Sequence, residues 1–511
     1  MLNTGSSLER PCMTTLSDST FALPLARPAL PILSARWFTH IALGLLLVTS
    51  IATVVLSIQN WSDMDPAAGA WITLADDLAR DGTFYRPLVL EDGTGGTRYM
   101  PLSFVIHAFV VTLGFPLIAS GFALSILWGI ALLAGAWRLL RLLNVPRNDA
   151  IIGTVLLLGA GCVQSAISSV KGDLAAAALN VWALVAFVVW WKSQRRGAWP
   201  TLAAMFFALA FMTKITSVFG CAAGCVVLLL DHRWRDAFKL ASLTVLFALI
   251  GVAIVQFASD GRFIESLLAC GGARGSMRFL AMAPVRFFEH LSAYDTAAMV
   301  AMMVAFGALL LARRYYDWRA QPLPIVALVM TVLATIAIYG SPGTARNHLI
   351  DLYTIAIIAS TFAVSRCKSR PEIRIGMPGA QALGAAMITT SMLWQVWHQY
   401  DGKSMQAAFA SVANVSGPIL SEQPIIPLLR DERPYCMDWF SYETFTTRDP
   451  QLAARLHRDV ASQRFGAIVF HKKITSDGKI DIDRSMPVVP IVLKHYREAG
   501  EFEGYTVFVR K

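Results

Sequence analysis

The sequence predicts a polytopic α-helical membrane protein with a small α/β domain after the helices. Of its 511 residues, 55% are hydrophobic and only 15% are charged, whereas a soluble globular protein carries about 25% charged residues. The basic residues fall in short clusters between apolar runs, which is the distribution of cytoplasmic loops. The net charge of +10 therefore reports the orientation of the chain in a membrane, and no basic face suited to nucleic acid is visible.

Twelve apolar runs are candidates for membrane spans, each of which needs about 20 residues. They are 38–58, 100–118, 119–137, 150–170, 173–191, 199–213, 215–230, 238–258, 296–312, 322–340, 349–365 and 378–398. The basic clusters alternate with them: Arg138/Arg141/Arg147, Lys192/Arg195/Arg196, Arg233/Arg235/Lys239, Arg313/Arg314/Arg319 and Lys368/Arg370. We therefore expect a cytoplasmic segment 1–37, a transmembrane domain 38–398 with a first outer loop 59–99, and an outer domain 399–511.

This topology requires an odd number of crossings, because the two ends of the chain are placed on opposite sides. The conflict with twelve candidates lies in the stretch 100–137, where two crossings would leave Arg138 and Arg141 outside, against the charge rule. Either one of its two runs does not cross or a short helix is missing from the count, so we expect about 11–13 transmembrane helices.

The character of the sequence changes from about residue 400, where apolar runs shorten and charges rise. Residues 464–471 and 505–510 have the composition of strands. After Asp449-Pro450, the apolar residues Leu452, Leu456 and Val460 recur at helical spacing. These patterns predict a small α/β domain on the outer face.

Ionisable residues gather at the predicted outer membrane level, where burial without a partner costs several kcal/mol. They are Asp63, Asp65, Lys171, Asp173, Lys214, Arg346 and His348. Cations at this level suit a lipid phosphate, whose leaving-group charge they neutralise, and a carboxylate suits the removal of a proton from an acceptor hydroxyl.

Each of these residues also has a purely structural interpretation. Lys171 and Asp173 can pair with each other, Arg346 can anchor a loop to lipid headgroups, and His348 can cap the next helix. Lys214 is flanked by apolar residues on both sides, which favours a function for it.

Four other ionisable residues are given no role in function. We expect Asp76, Asp77 and Asp81 to lie on the solvent side of a surface helix. His107 lies in an apolar run and is expected to be a hydrogen-bonded core histidine.

The order of features resembles the GT-C superfamily of membrane glycosyltransferases, in particular the protein mannosyltransferases, the aminoarabinose transferases and related rhizobial lipopolysaccharide transferases. The acidic residues after the first span are followed by the loop element Asp81-Gly82-Thr83-Phe84-Tyr85-Arg86-Pro87. The chain then returns to the membrane at Tyr99-Met100-Pro101-Leu102, and a lysine follows in Thr213-Lys214. The chain departs from the family pattern at Arg98, where many members carry a carboxylate, and at Met100, where a second proline is commoner.

The resemblance implies an inverting transfer of a sugar from a polyprenyl-phosphate donor to a glycan, lipid or protein acceptor. It implies Asp65 as the general base with Asp63 as the second choice, and Lys214, Arg346 and Lys171 as ligands of the donor phosphate. The remaining candidates are Asp173, His348 and Tyr85. No cofactor is required, although Asp63 and Asp65 together can hold a divalent cation through oxygen ligands.

The implied location is the bacterial inner membrane, with the N-terminus in the cytoplasm and the C-terminal domain outside. The main alternative is a transporter or flippase of lipid-linked glycans, which predicts pseudo-symmetric halves that are not visible in the sequence. A membrane subunit with a sensory outer domain is a third interpretation, but it leaves the cluster of charges unexplained.

Overall fold

The computed structural model describes residues 30–193, 197–271, 277–312, 318–341, 343–367, 371–398, 405–446, 449–474, 480–482, 486–502 and 504–511. Most of the predicted cytoplasmic segment 1–37 and the start of the predicted outer domain at 399–404 lie outside this part of the chain. The same holds for several of the predicted cytoplasmic basic residues: Arg195, Arg196, Arg313, Arg314, Lys368 and Arg370.

The first part of the chain is helical apart from one short hairpin. In chain order its elements are α1 (Leu30–Asn60), α2 (Pro66–Asp81), β1 (Val89–Leu90), β2 (Gly93–Thr94), α3 (Leu102–Thr112), α4 (Leu117–Leu142), α5 (Arg147–Leu156), α6 (Gly161–Ile167), α7 (Asp173–Ser193), α8 (Trp199–Thr213), α9 (Phe219–Leu230), α10 (Trp234–Ala258), α11 (Arg262–Cys270), α12 (Met277–Ala281), α13 (Ala283–Tyr294), α14 (Thr296–Ala312), α15 (Leu323–Tyr339), α16 (Ile350–Arg366) and α17 (Pro371–His398).

Among the described residues, five helical segments are long and apolar enough to span a membrane: α1, α4, α7, α10, and α16 together with the turn Arg346–Leu349 that precedes it. Two bent pairs, α5 with α6 and α13 with α14, raise the number to seven if each pair is one span. Helices α3, α8, α9 and α15 are apolar but shorter. The exposed face of α10 includes Phe238 and Phe257, which is the pattern of a helix that contacts lipid rather than the protein core.

The stretch 100–137 contains one helix of membrane length, not the two spans that the apolar pattern predicted. Helix α3 has 11 residues and is therefore about 16 Å long, about half the thickness of the hydrocarbon core. The chain then turns at Gly114, which has a φ of 92°, and α4 carries Arg138 and Arg141 at its far end. One helix of membrane length in this stretch agrees with the charge rule, because two crossings would leave Arg138 and Arg141 outside.

Helix α2, in the loop that follows α1, is defined by signals at both ends. The Asp65 side chain accepts a hydrogen bond from the backbone N–H of Ala68 at 2.9 Å, and Pro66 occupies the first helical position, where its missing N–H has no cost. Gly82 ends the helix in the left-handed conformation, with a φ of 77°, which glycine adopts without strain.

The last part of the chain forms a mixed sheet with flanking helices. Its elements are α18 (Met405–Val412), β3 (Ile419–Ser421), α19 (Ile425–Leu428), α20 (Trp439–Thr446), α21 (Pro450–Ala461), β4 (Ala467–Ile474), β5 (Ile480–Ile482), α22 (Val489–His495), β6 (Tyr496–Phe502) and β7 (Tyr505–Arg510). The strand order is β3-β4-β7-β6, with β5 paired to β4, and only β3 runs parallel to its neighbour. The two predicted strands correspond to β4 and β7.

The predicted amphipathic helix of this region is α21. Its residues Leu452, Leu456 and Val460 are buried, as their spacing predicts. Leu456 and Val460 pack in one cluster with Ile468 and Phe508 of the sheet. The small α/β domain expected after the apolar helices is therefore present in the described residues.

The solvent-facing position predicted for two aspartates of α2 is wrong. Asp77 is buried, and its two oxygens accept hydrogen bonds from Arg86 at 2.6 and 2.7 Å. Asp76 is also buried, and this burial raises the pKa of its carboxyl group. The C-terminal domain covers this face of α2, and a local sequence pattern carries no information about so distant a contact. The prediction for His107 is confirmed, since its Nε2 lies 2.8 Å from the carbonyl oxygen of Leu117.

Candidate active site

The acidic pair lies in a tight connection between α1 and α2. Trp61 ends α1 in the left-handed conformation, with a φ of 55°, and the backbone N–H of Ser62 donates to the carbonyl of Ser57 at 3.1 Å. The Met64 side chain between the two aspartates is buried. Asp63 and Asp65 are therefore held on either side of a buried anchor.

Asp63 is the more enclosed member of the pair, with 14% of its side chain exposed. It accepts hydrogen bonds from the hydroxyls of Ser165 and Ser168 at 2.8 and 2.5 Å. Arg346 donates to the same carboxylate at 2.9 Å and also to Ser165. Three donors, one of them a cation, thus fix the carboxylate of Asp63 in place.

Asp65 is more accessible, with 48% of its side chain exposed. One of its oxygens caps α2, and the other pairs with Lys171 at 2.5 Å. An exposed carboxylate at the start of α2 can meet a hydroxyl that arrives from water. Only Met64 separates it in the sequence from the enclosed Asp63.

A third ion pair joins α7 to the break between α8 and α9. Lys214 leaves the helix in an extended conformation and contacts Asp173 at 2.6 Å. Asn347 donates to the same carboxylate at 2.8 Å. Gly172, next to Asp173, leaves room for the ring of Trp71, because a Cβ there would lie 2.8 Å from that ring.

The turn Arg346–Leu349 connects these ion pairs. Arg346 contacts Asp63, and the next residue, Asn347, contacts Asp173. The Nδ1 atom of His348 is buried and has no hydrogen-bond partner within the part of the chain that the structure describes. A buried polar atom of this kind requires a partner, such as a water molecule or a ligand.

Most of the predicted site residues therefore belong to one cluster: Asp63, Asp65, Lys171, Asp173, Lys214, Arg346 and His348. Each of the three cations predicted to hold phosphate has a carboxylate partner. Lys171 pairs with Asp65 rather than with Asp173, the partner suggested by its neighbourhood in sequence.

Tyr85 does not join this cluster. Its ring is buried against Phe104 and Phe263, and its hydroxyl donates to the carbonyl of Tyr99 at 2.9 Å. Burial raises the pKa of this phenol well above its usual value. These contacts fit a packing role in the first outer loop.

Sequence reasoning missed four polar residues of the cluster. Ser165, Ser168 and Asn347 carry no charge and gave no signal of their own. Asp351 interacts electrostatically with Lys214 and Asp173, and its place at the start of an apolar run could have drawn attention to it.

A cleft beside Lys171 adds an apolar surface to the polar cluster. Its lining includes Trp71, Phe104, Leu124, Trp128 and Val170. These side chains come from α2, α3, α4 and the segment before α7, so the cleft reaches from apolar helices to the ion pairs.

A metal centre has no support from the described side chains, among which no group of three or more His, Cys, Asp or Glu residues converges. The carboxylates of Asp63 and Asp65 are each paired with a cation, Arg346 and Lys171 respectively. A divalent ion between them stays a prediction.

The helical bundle, the loop after α1 with its surface helix and the C-terminal α/β domain together form a fold that solved structures share. No protein-family model matches the sequence, and no curated protein matches it either. The fold is similar to that of ArnT, the aminoarabinose transferase, from Cupriavidus metallidurans in the apo state, with a TM-score of 0.58 at 12% identity over 92% of this chain and 97% of that one.

The same enzyme solved with undecaprenyl phosphate matches with a TM-score of 0.59 at 11% identity, over 94% of this chain and 98% of the other. The oligosaccharyltransferase of Archaeoglobus fulgidus matches with a TM-score of 0.49 at 11% identity, over 84% and 69% of the two chains. At these identities the similarity to ArnT establishes the fold.

Proposed function

We propose that this protein is an inverting glycosyltransferase that moves a sugar from a polyprenyl-phosphate donor to a glycan, lipid or protein acceptor at the outer face of a membrane. The observation that carries the proposal is the set of three carboxylate–cation pairs, formed by Asp63, Asp65 and Asp173 with their partners, where apolar helices meet the first outer loop. The ArnT structure with undecaprenyl phosphate supports a donor of this class on the same fold.

In this proposal Lys214 and Arg346 hold the donor phosphate, with Lys171 beside them. The phosphodiester of the donor carries one negative charge, and the departing polyprenyl phosphate gains a second. Cations fixed before the reaction stabilise that added charge without reorganising. Each of them exchanges a carboxylate partner for a phosphate oxygen when the donor binds.

The reaction is a direct displacement at the anomeric carbon. The acceptor oxygen forms a bond to that carbon, the bond from the carbon to the phosphate oxygen breaks, and the configuration inverts. The acceptor proton goes to the carboxylate of Asp65, or to that of Asp63 if the acceptor reaches deeper. A positioned base of this kind contributes about 10²–10⁴-fold in rate.

We propose that the site lies on the extracytoplasmic side of the bacterial inner membrane. The basic residues Arg138 and Arg141 lie near the end of α4, and Lys192 lies near the end of α7. The ion-pair cluster lies at the opposite ends of the same two helices, which fits a cytoplasmic side rich in basic residues.

Cysteine labelling tests this orientation. In Ser62→Cys and Ser462→Cys variants, a membrane-impermeant thiol reagent applied from outside should label both positions, which are exposed. A Ser193→Cys variant at the basic end of α7 is the matched control and should label only after permeabilisation. Opposite behaviour of positions 62 and 462 would exclude the proposed topology.

The alternative of a transporter or flippase predicts a ligand site near the middle of the membrane between repeated halves. The ion-pair cluster lies instead at helix ends beside a loop, which favours a transferase. Purified protein in liposomes with a labelled polyprenyl-phosphate sugar separates the two. A transferase releases polyprenyl phosphate and labels an acceptor in membrane extracts, whereas a flippase moves the intact donor between leaflets without cleaving it.

A further inference from the structure

The connection between α1 and α2 is held from the opposite side by the C-terminal domain. Gln423, which follows β3, donates from its Nε2 atom to the carbonyl oxygen of Met64 at 2.6 Å. The two residues are 359 positions apart in the chain, and both are buried. Met64 is the residue between Asp63 and Asp65, so one side chain of the outer domain touches the backbone at the centre of the acidic pair.

Gln423 stands on a rigid support. Its backbone N–H donates to the Ser421 hydroxyl at 3.0 Å, and the preceding Glu422 is fixed to β4 by a backbone hydrogen bond to Val469 at 3.0 Å. The phenol of Tyr505 in β7 also interacts with the Gln423 side chain. The amide is therefore positioned by the sheet rather than by a loose loop.

Helix α2 is shaped to admit this contact. A Cβ atom at Gly69 would lie 2.2 Å from the Gln423 Oε1 atom and 2.8 Å from Pro424. A glycine inside a helix costs about 1 kcal/mol relative to alanine, so its presence here has a steric reason. Only glycine at this position lets the amide reach the backbone of Met64.

We infer that Gln423 is a positioning residue for the acidic pair, through which the C-terminal domain sets the placement of Asp63 and Asp65 relative to the donor. This inference rests on the proposed function. The proposed ligands of the donor phosphate lie on connections between the membrane helices, away from the Gln423–Met64 contact, so a loosened Met64 displaces the base while the phosphate ligands stay in place. A displacement of about 1 Å can lower a rate by about 10²-fold.

Three changes test this contact. Gln423→Met keeps the volume of the side chain but removes the N–H group that donates to Met64. It should lower kcat by about 10–100-fold while the KM for the polyprenyl-phosphate sugar stays unchanged. Gly69→Ala disturbs the same contact from α2 and should produce the same split. Gln423→Glu should be active only at acidic pH, because a protonated carboxyl can donate to the Met64 carbonyl and an ionised one cannot.

Arg433→Gln is the matched control. Arg433 belongs to the same interface between the domain and the loop but pairs with Asp81 at the far end of α2, and its loss should leave kcat unchanged. A wild-type kcat per folded molecule in Gln423→Met, or an equal loss in Arg433→Gln, would overturn the inference. A gain of activity by Gln423→Glu at acidic pH that wild-type protein does not show would identify the donated hydrogen bond as the cause.

The proposed function and the positioning role can fail independently of each other. The proposed function fails when wild-type protein does not cleave the donor. The positioning role fails when wild-type protein is active and the Gln423 variants match it. Thermal unfolding midpoints measured for each variant separate a loss of folded protein from a loss of turnover.

Discussion

Helix α2 has ion pairs near both of its ends, and the pair Asp77–Arg86 near its C-terminal end is enclosed more completely than the pairs near its start. The site pairs at its start are Asp63–Arg346, Asp65–Lys171 and Asp173–Lys214. The lock pairs, on its last turns and the loop that follows, are Asp77–Arg86, Asp81–Arg433 and Asp92–Arg464. The lock pairs of Arg433 and Arg464 join the loop to the C-terminal domain.

The central lock pair has no capacity for a ligand. Arg86 donates twice to Asp77 and once to the carbonyl of Pro434 at 3.0 Å, and both charged side chains are almost inaccessible. The site pairs are looser, since Lys171 and Lys214 make single contacts to carboxylates and Asp65 is half exposed. A buried charge held by several partners stabilises the fold, and a charge with one replaceable partner can exchange it for a substrate.

The largest effect on stability is expected at the buried lock pair Asp77–Arg86. Asp77→Asn leaves Arg86 buried without a counter-charge, and breaking a buried pair in this way costs about 3–5 kcal/mol. We expect a clearly lower thermal unfolding midpoint and a poor yield. Asp92→Asn is the control, because its exposed pair with Arg464 contributes about 0–1 kcal/mol. Equal midpoints for the two variants would remove the distinction between enclosed and exposed pairs.

A smaller effect, on donor binding rather than on folding, is expected at Lys214. Removing one charge-assisted hydrogen bond to phosphate costs about 1.5–3 kcal/mol, so Lys214→Met should raise the KM for the donor by about 10–150-fold. Because Asp173 would be left buried without a counter-charge, the variant should also be combined with Asp173→Asn, which removes the uncompensated charge. An unchanged donor KM in the folded double variant would make Lys214 structural.

The sequence predicted the features that depend on a few neighbouring residues. Apolar runs and basic clusters predicted the helical bundle, and local periodicity predicted β4, β7 and α21, because these signals act over a few residues. The ionisable residues near apolar runs predicted most of the cluster, because burying a charge requires a reason.

Contacts between distant segments were beyond the sequence. The burial of Asp77 depends on a domain more than 300 positions further along, and Gln423 reaches Met64 over a similar separation. Ser165 and Ser168 carry no signal in the sequence, because only the fold brings their hydroxyls to Asp63. The end of α3 was missed although Gly114 and Pro116 mark it, because the apolar run continues past these two helix breakers.

The general base at the start of α2 is the central claim, and transfer kinetics test it most directly. Asparagine caps a helix as well as aspartate does, so Asp65→Asn keeps the cap of α2 and removes the base. With a labelled polyprenyl-phosphate sugar, single-turnover transfer by Asp65→Asn should fall about 10²–10⁴-fold with donor binding unchanged. A loss confined to Asp63→Asn would move the base to position 63, and wild-type transfer by the double asparagine variant would contradict the account.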